Sequence, residues 1–468
     1  MTGAAVRMTS GCIFSVRCNV TRPVSEMLEA CQNGMWLHMP GHGGKAPFGP
    51  VDMTELDLTE LDCTDDLYHP RSGIAQAEEI YAQRAHAGAT LFLHNGSTQG
   101  IHAMLQMQMR EGDTVILPRN AHLSAVNACI LGNLRIVWIP VRHTRDGYVY
   151  VDSGDAERVI RHSPQARRVL VTRPDYYGGC MDLGRVCSAA RETGMDVVVD
   201  EAHGAHLPWH PDIPSASAWH VRAWTQSCHK TLPALTGSAV MHVMDSADRA
   251  EAMRIVRREQ TSSPSFLLMR SIDDARAWMD ENGERLNERM KRLDRIAREA
   301  EKMGLADPRK AWAEETGYAY DRSRLVIAGI CAESAARLDR LGVHWEMYDG
   351  DRLVLLPPVG FGSEEEARLL DALHRCGQPG RTDREIMIPD MPRSVMDVRA
   401  AALADMESVP LYEAAGRIAG ESAGIYPPGV PLVVPGEELT GDVLDVLRHT
   451  SEEHRFGVEG DRILCVKM

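Results

Sequence analysis

Two short apolar segments of the sequence each end in residues that can carry chemistry. The run Val197-Val-Val closes at Asp200, and the segment that begins at Trp224 closes at Ser227-Cys-His-Lys230. In an α/β sheet neighbouring strands are mostly parallel, so their carboxyl ends meet at one edge and bring such residues together. An acid and a lysine at one edge are what pyridoxal phosphate (PLP) needs. The lysine forms an imine with the cofactor aldehyde, and the acid keeps the pyridine nitrogen protonated so that the ring accepts electrons.

The pattern between residues 75 and 200 alternates regularly between helix and strand. Apolar periodicity predicts helices at 75–87, 98–110, 123–131 and 183–193, and strands at 90–93, 113–117, 134–139, 167–172 and 196–200. Such alternation predicts an α/β fold with a mainly parallel sheet, whose ligand lies beyond the carboxyl ends of the strands. Residues 265–303 predict a long helix, and residues 324–373 predict a small α+β domain in the order strand, helix, strand, strand, helix.

Length and composition narrow the possible functions. The 468 residues allow several structural units, and we predict an N-terminal arm at 1–55, a large domain at 56–265, linker helices with a small domain at 266–380, and a C-terminal domain at 381–468. A net charge of -15 argues against nucleic acid as a partner. The 11 scattered cysteines, without a C-x-x-C pair, predict a reduced cytoplasmic protein, and no apolar run is long enough to cross a membrane.

Two further segments can serve a PLP site. The turn Asn95-Gly-Ser-Thr98 lies between a strand and a helix, where Ser97, Thr98 and free backbone N–H groups can hold a phosphate. Taken alone, an ordinary helix-capping turn explains it as well, but its combination with Lys230 and Asp200 favours phosphate. His122 follows another strand, and its flat ring can lie on the cofactor; the alternative is a helix-start histidine bonded to backbone.

Other motifs point elsewhere and carry less weight. The tetrad Asp200-Glu-Ala-His203 also occurs in helicases, but an NTPase needs a phosphate loop, and Gly44-Lys45 is followed by Ala46 and Pro47. The segment 41–46 fits a loose dinucleotide fingerprint but lacks a preceding strand. His203 and His206 could bind a metal, yet no third ligand cluster accompanies them, so we expect structural histidines and no metal.

The acid-rich segment Glu55–Asp66 allows two interpretations. A solvated loop is the usual one for a charge run, but the leucines interleaved with the acids favour a packed segment. Acids held near a closed site, Asp66 among them, can bind a cationic side chain. The sequence thus combines a cofactor site with acids suited to a basic substrate.

Several of these segments, in order, resemble the Orn/Lys/Arg decarboxylase family. The matching segments are Met39-Pro-Gly-His42, Asp57–Asp62, Asp65–Pro70, Asn95–Thr98, Pro118–His122, Asp200–His206, Ser227–Lys230, Ser263-Pro-Ser-Phe266, Gly416–Glu421 and Tyr426–Pro431. The chain is similar to the short bacterial form of the family, which lacks the amino-terminal wing domain. Two positions depart from the usual pattern: Asp175 stands in Pro174-Asp-Tyr176, and Gly237 follows Thr236.

The resemblance implies a PLP-dependent fold type I enzyme: a large domain with a mainly parallel seven-stranded sheet, a small α+β domain and a C-terminal domain. It implies a homodimer or a higher homo-oligomer, with active sites at the subunit interface. It also implies a set of roles for residues of this chain. Lys230 is the Schiff-base lysine, Asp200 binds the pyridine nitrogen, His122 stacks on the ring, His203 lies beside the cofactor, Ser97, Thr98, Ser227 and His229 hold the phosphate, Ser263 reaches the partner's phosphate, and Glu421 binds the substrate's distal cation.

The expected reaction is the decarboxylation of a basic amino acid to CO2 and a polyamine-type amine. Arginine is the expected substrate, with lysine and ornithine as alternatives, because a guanidinium and an ammonium both attract a carboxylate. Two other functions stay open. One is an aminotransferase on the same fold, which would need an arginine to bind the substrate carboxylate. The other is a PLP-binding regulatory protein, which would have no need of the intact set of Lys230, Asp200 and His122 that this chain has.

Overall fold

The computed structural model describes residues 21–31, 55–376, 389–426 and 429–467. Most of the predicted N-terminal arm, the segment 41–46 and the segment 377–388 before the C-terminal domain lie outside the described residues, as do Pro427 and Pro428. From the arm, the structure describes helix α1 (Pro23–Cys31), which packs its buried Val24 and Leu28 against the large domain.

A seven-stranded sheet forms the centre of the large domain. Its strands are β1 (Ala89–Leu93), β2 (Thr114–Pro118), β3 (Arg135–Ile139), β4 (Ala166–Thr172), β5 (Asp196–Asp200), β6 (Ala223–Gln226) and β7 (Ala239–Val243). Their order is β1-β7-β6-β5-β4-β2-β3, and only β7 runs antiparallel to its neighbours. Most of these strands are buried on both faces, so they appear in the sequence as continuous apolar runs.

Helices cover both faces of this sheet and form separate apolar cores there. In chain order they are α2 (Gly73–Ala85), α3 (Gly96–Gln106), α4 (Leu123–Gly132), α5 (Ser153–Arg161), α6 (Leu183–Thr193), α7 (Cys228–Thr231) and α8 (Arg249–Glu259). Acidic N-caps start two of them: Asp152 accepts the Asp155 N–H before α5, and Asp182 accepts the Arg185 N–H before α6. The strand and helix types predicted between 75 and 200 are confirmed, with ends shifted by a few residues.

The region after the sheet contains the small domain. The predicted long helix is two helices, α9 (Phe266–Asn282) and α10 (Glu284–Lys302), which meet at Gly283; α11 (Arg309–Thr316) follows. The small domain then runs β8 (Leu325–Ala328), α12 (Ala332–Arg340), β9 (Met347–Tyr348), β10 (Arg352–Leu355) and α13 (Ser363–Arg375), as predicted. Short ribbons pair Arg142–His143 with Val149–Tyr150, and Gly179–Cys180 with Ala319–Tyr320.

The C-terminal domain consists of two small sheets and two helices. Its elements are α14 (Val398–Ala402), β11 (Met406–Pro410), β12 (Ala423–Ile425), β13 (Val430–Val433), α15 (Gly441–His449), β14 (Arg455–Phe456), β15 (Val458–Glu459) and β16 (Arg462–Val466). A buried ion pair, Arg119 with Glu437, attaches it to the large domain. The exact domain boundaries stay a prediction. Among the described residues, no helix has the length and apolar character needed to cross a membrane.

Candidate active site

Lys230 and Asp200 lie at the carboxyl ends of neighbouring parallel strands. Asp200 is the last residue of β5 and pairs in register with Thr225 of β6, while Lys230 lies in α7, directly after β6. The Asp200 side chain is buried, and its Oδ1 accepts the N–H of Ala202 at 3.1 Å. Burial lowers the pKa of Lys230, and the nearby Asp200 carboxylate opposes that shift. A lysine with a lowered pKa can give and take protons more readily than an exposed one.

The turn predicted to hold a phosphate lies against the same edge. Gly96 begins α3 with a φ of +67°, and its N–H donates to the carbonyl of Gly237 at 2.9 Å. The Ser227 hydroxyl donates to Ser97 Oγ at 2.8 Å, which joins this turn to the end of β6. Thr98 follows in the first turn of α3 and is half-buried. Free N–H groups at the start of an 11-residue helix, together with these hydroxyls, form a site for an anion.

Gly100 explains how α3 comes so close to the sheet. A Cβ atom at this position would lie 2.1 Å from Thr225 Oγ1 and 2.6 Å from Thr225 Cβ. Glycine is therefore required for the helix to rest on β6, the strand that leads to Lys230. The close approach brings Ser97 within hydrogen-bond distance of Ser227.

His122 is the N-cap of α4, and its ring is fixed by local hydrogen bonds. Its Nδ1 accepts the Ser124 N–H at 3.2 Å and lies 2.8 Å from Ser124 Oγ, so the proton of the neutral ring is on Nε2. Burial lowers the pKa of His122, which Asp200 raises in part and Lys230 lowers further. The charges of Asp200 and Lys230 therefore both act on the His122 ring. Gly429 of the C-terminal domain approaches the ring, and its carbonyl accepts the Leu123 N–H at 3.0 Å.

His203 contacts the lysine directly. Lys230 Nζ lies 3.2 Å from His203 Nε2, and the ring of Tyr176 packs edge-on against the imidazole with centroids 4.9 Å apart. Burial lowers the pKa of His203 well below its usual value, and the positive charges of Lys230 and Arg324 lower it further. The ring is therefore neutral. Its buried Nδ1 has no hydrogen-bond partner among the described residues, which leaves this atom for a bound ligand.

His229 lies on the other side of Lys230 in α7. Its Nδ1–H donates to the carbonyl of Ser238 at 2.9 Å, so the ring is oriented by the loop before β7. Only the imidazolium form then has a second N–H, at Nε2, to donate to a phosphate. The structure thus brings together Lys230, Asp200, His122, His203, Ser97, Ser227 and His229, with Thr98 in the adjoining turn.

Three predicted residues lie apart from this group within one chain. Ser263 is exposed, and its N–H donates to Thr261 Oγ1 at 3.2 Å. Asp66 accepts the Tyr68 N–H at 2.8 Å and so stabilises its own turn. Glu421 is exposed on the C-terminal domain. Their roles toward a partner subunit or a substrate stay predictions.

The two departures from the family pattern have local structural roles. The Asp175 carboxylate accepts the N–H groups of Tyr177 at 2.9 Å and Gly179 at 2.8 Å, and the hydroxyl of Tyr148. Asp175 therefore holds the turn that presents Tyr176 to His203. Gly237 has a φ of +95°, which favours glycine, and its carbonyl is the acceptor for Gly96.

The structure adds residues that sequence reasoning missed. Arg324 is a buried residue that follows α11 in the chain. It donates to the carbonyls of Tyr176 at 2.9 Å and His203 at 3.1 Å, and pairs with Asp321 at 3.2 Å. Arg324 therefore connects the small domain to the loops that contain Tyr176 and His203. The Tyr176 hydroxyl donates to Glu346, whose carboxylate raises the pKa of Lys230 against the effect of burial. Neither Arg324 nor Glu346 lies in a recognisable motif. The one sequence feature that pointed to this region was Asp175, the departure from the family pattern that precedes Tyr176.

One group of side chains among the described residues has the composition of a metal site: His206, His210 and Asp321. The pair His203 and His206 that the sequence suggested is not part of one group: His206 lies with His210, four residues later, and with the distant Asp321. However, His210 Nδ1 accepts the N–H groups of Asp212 and Ile213 at 3.1 and 2.9 Å. The neutral ring then carries its proton on Nε2, the atom that faces Asp321, and cannot ligate through it. We therefore interpret the group as hydrogen-bonded structural residues.

The grouped residues fit pyridoxal phosphate. They offer hydroxyls and a helix start for a phosphate, a buried carboxylate for a pyridine nitrogen, a lysine amine for an aldehyde and an imidazole for a ring face. The buried Thr172 Oγ1 and Thr231 Oγ1, which flank Asp200 and Lys230, also have no hydrogen-bond partner among the described residues. Buried polar atoms are normally satisfied, so unfilled ones around this group indicate a polar ligand.

The fold and this residue set define the class of the protein as a PLP-type fold type I enzyme. The major-domain model of the Orn/Lys/Arg decarboxylase family matches residues 41–312, and the C-terminal-domain model of that family matches residues 385–456. The chain belongs to the Orn/Lys/Arg decarboxylase family, and is accordingly an amino-acid decarboxylase.

Individual relatives agree with this assignment. The chain is 28% identical over 441 residues to an arginine decarboxylase of Bacillus subtilis, with 88% of this chain and 89% of that protein covered. Its fold resembles the constitutive lysine decarboxylase of Escherichia coli with a TM-score of 0.80 at 18% identity, covering 96% of this chain and 82% of that one. The lysine decarboxylase of Francisella novicida gives a TM-score of 0.83 at 16% identity, covering 96% and 81%. The predicted family and fold class are confirmed.

Proposed function

We propose that this decarboxylase acts on arginine and uses PLP held by the residues described above. One observation carries the proposal: a half-buried lysine and a buried aspartate lie at the ends of adjacent parallel strands, beside an anion-binding helix start. Sequence similarity to an enzyme named arginine decarboxylase supports arginine over lysine and ornithine.

When bound, PLP supplies a protonated pyridine ring that accepts the electron pair left as CO2 departs. Asp200 would hold the proton on the pyridine nitrogen, because a buried carboxylate stabilises a neighbouring positive charge. Ser97, Thr98, Ser227 and His229 would hold the phosphate. His122, fixed by Ser124, would lie against the cofactor and help to exclude water.

Lys230 handles the proton that replaces the carboxylate. Its amine would hold the cofactor through the aldehyde, and it would lie near the substrate Cα once a substrate is bound. Burial lowers the pKa of Lys230, which makes its protonated amine a better proton donor than that of an exposed lysine. His203, 3.2 Å away and neutral, orients the amine by accepting one of its hydrogens.

Arg324, which contacts the loops around the site, does not suit transamination. An aminotransferase needs a guanidinium that is free to bind the substrate carboxylate. The Arg324 guanidinium instead donates to the carbonyls of Asp175, Tyr176 and His203, and pairs with Asp321. We also propose a homodimer, in which the exposed Ser263 reaches the partner's phosphate.

The test is a substrate panel of arginine, lysine, ornithine and leucine, with CO2, amine and keto acid all measured. We expect CO2 and amine in equal amounts from arginine, less from the other basic amino acids, and none from leucine. Borohydride reduction should attach the cofactor to the peptide that contains Lys230, and Lys230→Ala should abolish both results. Keto acid without CO2, or a preference for leucine, would contradict the proposal.

A further inference from the structure

Glu346 is an acidic residue that the small domain holds near the active site. It lies directly before β9, and its N–H donates to the carbonyl of Val354 in β10 at 3.0 Å, so its backbone is part of a sheet. Its Oε1 accepts the hydroxyl of Tyr176, a residue 170 positions earlier in the sequence. Because the Tyr176 ring packs on His203, Glu346 is separated from Lys230 by only two side chains.

The Glu346 carboxylate forms no ion pair among the described residues. Within the described part of the chain, no arginine or lysine forms a salt bridge with it, and Oε2 receives no hydrogen bond. Its carboxylate nevertheless acts on Lys230, whose pKa it raises. Arg324, a buried cation that contacts the Tyr176 backbone, is bound to carbonyl oxygens and Asp321 instead.

Glu346 is also exposed, whereas the neighbouring Asp200 and His203 are buried. Its carboxylate is therefore accessible to a ligand that arrives from solvent. Tyr176 restricts the carboxylate by binding one oxygen, and this leaves the other oxygen for a cation. A carboxylate held in advance loses less conformational freedom when it binds a ligand.

We propose that Glu346 is a specificity-determining residue that binds the distal cation of the substrate, and that Tyr176 orients it. This inference rests on the proposed function, since it requires a basic amino acid as substrate. Glu346 differs from the acids that the sequence suggested, because it is linked through Tyr176 and His203 to Lys230 within one chain. Asp66 is bound to its own turn, and Glu421 is exposed on the C-terminal domain.

The experiment compares Glu346→Gln and Tyr176→Phe with a matched control, Glu364→Gln. Glu364 is an exposed acid in the first turn of α13, on the same small domain. For each protein, kcat and KM are measured with arginine, and binding of its decarboxylation product, 1-amino-4-guanidinobutane, is measured by calorimetry. The product keeps the distal cation but has no carboxylate to lose, so its binding is independent of turnover.

We expect Glu346→Gln to raise KM for arginine and the Kd of the product amine by about 10-fold or more, with kcat changed much less. Tyr176→Phe should shift KM and Kd in the same direction by a smaller factor, and Glu364→Gln should change neither. Citrulline has a neutral group in place of the guanidinium, so Glu346→Gln should change the Kd for citrulline little.

Two results would overturn the inference while leaving the proposed function intact. One is unchanged KM and Kd in Glu346→Gln; the other is a loss confined to kcat, which would mean that Glu346 acts only through Tyr176 and His203. If the unaltered enzyme does not decarboxylate any basic amino acid, the proposed function itself fails, and the inference fails with it.

Discussion

The buried ion pair between Arg119 and Glu437 should be essential for docking of the C-terminal domain. Arg119 Nη1 donates to Glu437 Oε1 at 3.1 Å and Nη2 to Oε2 at 2.8 Å, and Nη2 also donates to the Leu432 carbonyl at 2.8 Å. The two side chains are 8% and 1% exposed. Arg119→Ala would leave a buried carboxylate unpaired, which costs about 3–5 kcal/mol in comparable pairs.

The exposed ion pair between Arg393 and Glu438 provides the control, because Glu438 is the residue next to Glu437. Its side chains are 78% and 38% exposed, so Arg393→Ala should cost less than about 1 kcal/mol. The double variant Arg119→Met/Glu437→Leu should recover part of the loss, because an apolar pair leaves no buried charge. Recovery should be incomplete, since the Leu432 carbonyl loses the Arg119 donor.

Urea unfolding of the four proteins, followed by circular dichroism and by decarboxylase activity, measures these differences. Activity should fall together with stability in Arg119→Ala, because the docked domain brings Gly429 against His122. If Arg119→Ala costs no more than Arg393→Ala, or if the double variant is less stable than Arg119→Ala, the pair does not hold the domain as argued here.

Three further predictions concern the site and its support. Asp200→Asn should keep the fold but lose turnover by on the order of several kcal/mol of barrier, because a neutral amide cannot hold the pyridine proton; near-normal kcat would exclude this role. Gly100→Ala should destabilise the protein by about 1–3 kcal/mol in thermal unfolding despite alanine's better helix propensity, because the new Cβ would overlap Thr225; a higher melting temperature would contradict the packing argument. Burial lowers the pKa of His242 to about 3. Below about pH 6.5 this histidine is therefore protonated in the unfolded chain but not in the folded protein, and the free energy of unfolding decreases as the pH falls. Relative to His242→Gln, the unaltered protein should lose about 1.4 kcal/mol per pH unit below that point in urea titrations, and parallel pH curves would refute the assignment.

The sequence alone determined the fold class and the centre of the site. Buried parallel strands appear as short apolar runs, and chemistry-bearing residues directly after such runs meet at one edge of the sheet. Asp200, Lys230, Ser97, Ser227 and His122 could therefore be predicted to lie together before any coordinates were known. The family motifs rest on the same local segments, which is why they matched in order along the chain.

Only the tertiary structure revealed the contacts between distant segments. The pairs Tyr176–Glu346 and Arg119–Glu437 join residues 170 and 318 positions apart, and His210 with Asp321 completes a group that the sequence showed only in part. Such contacts depend on how domains pack, and no local periodicity or capping pattern records them. The residues that we propose hold the cofactor lie at the ends of strands of one sheet or in the segments directly after them, and could be predicted. Glu346, the acid that we propose selects the substrate, comes from another domain, and only packing of that domain against the sheet brings it to Tyr176.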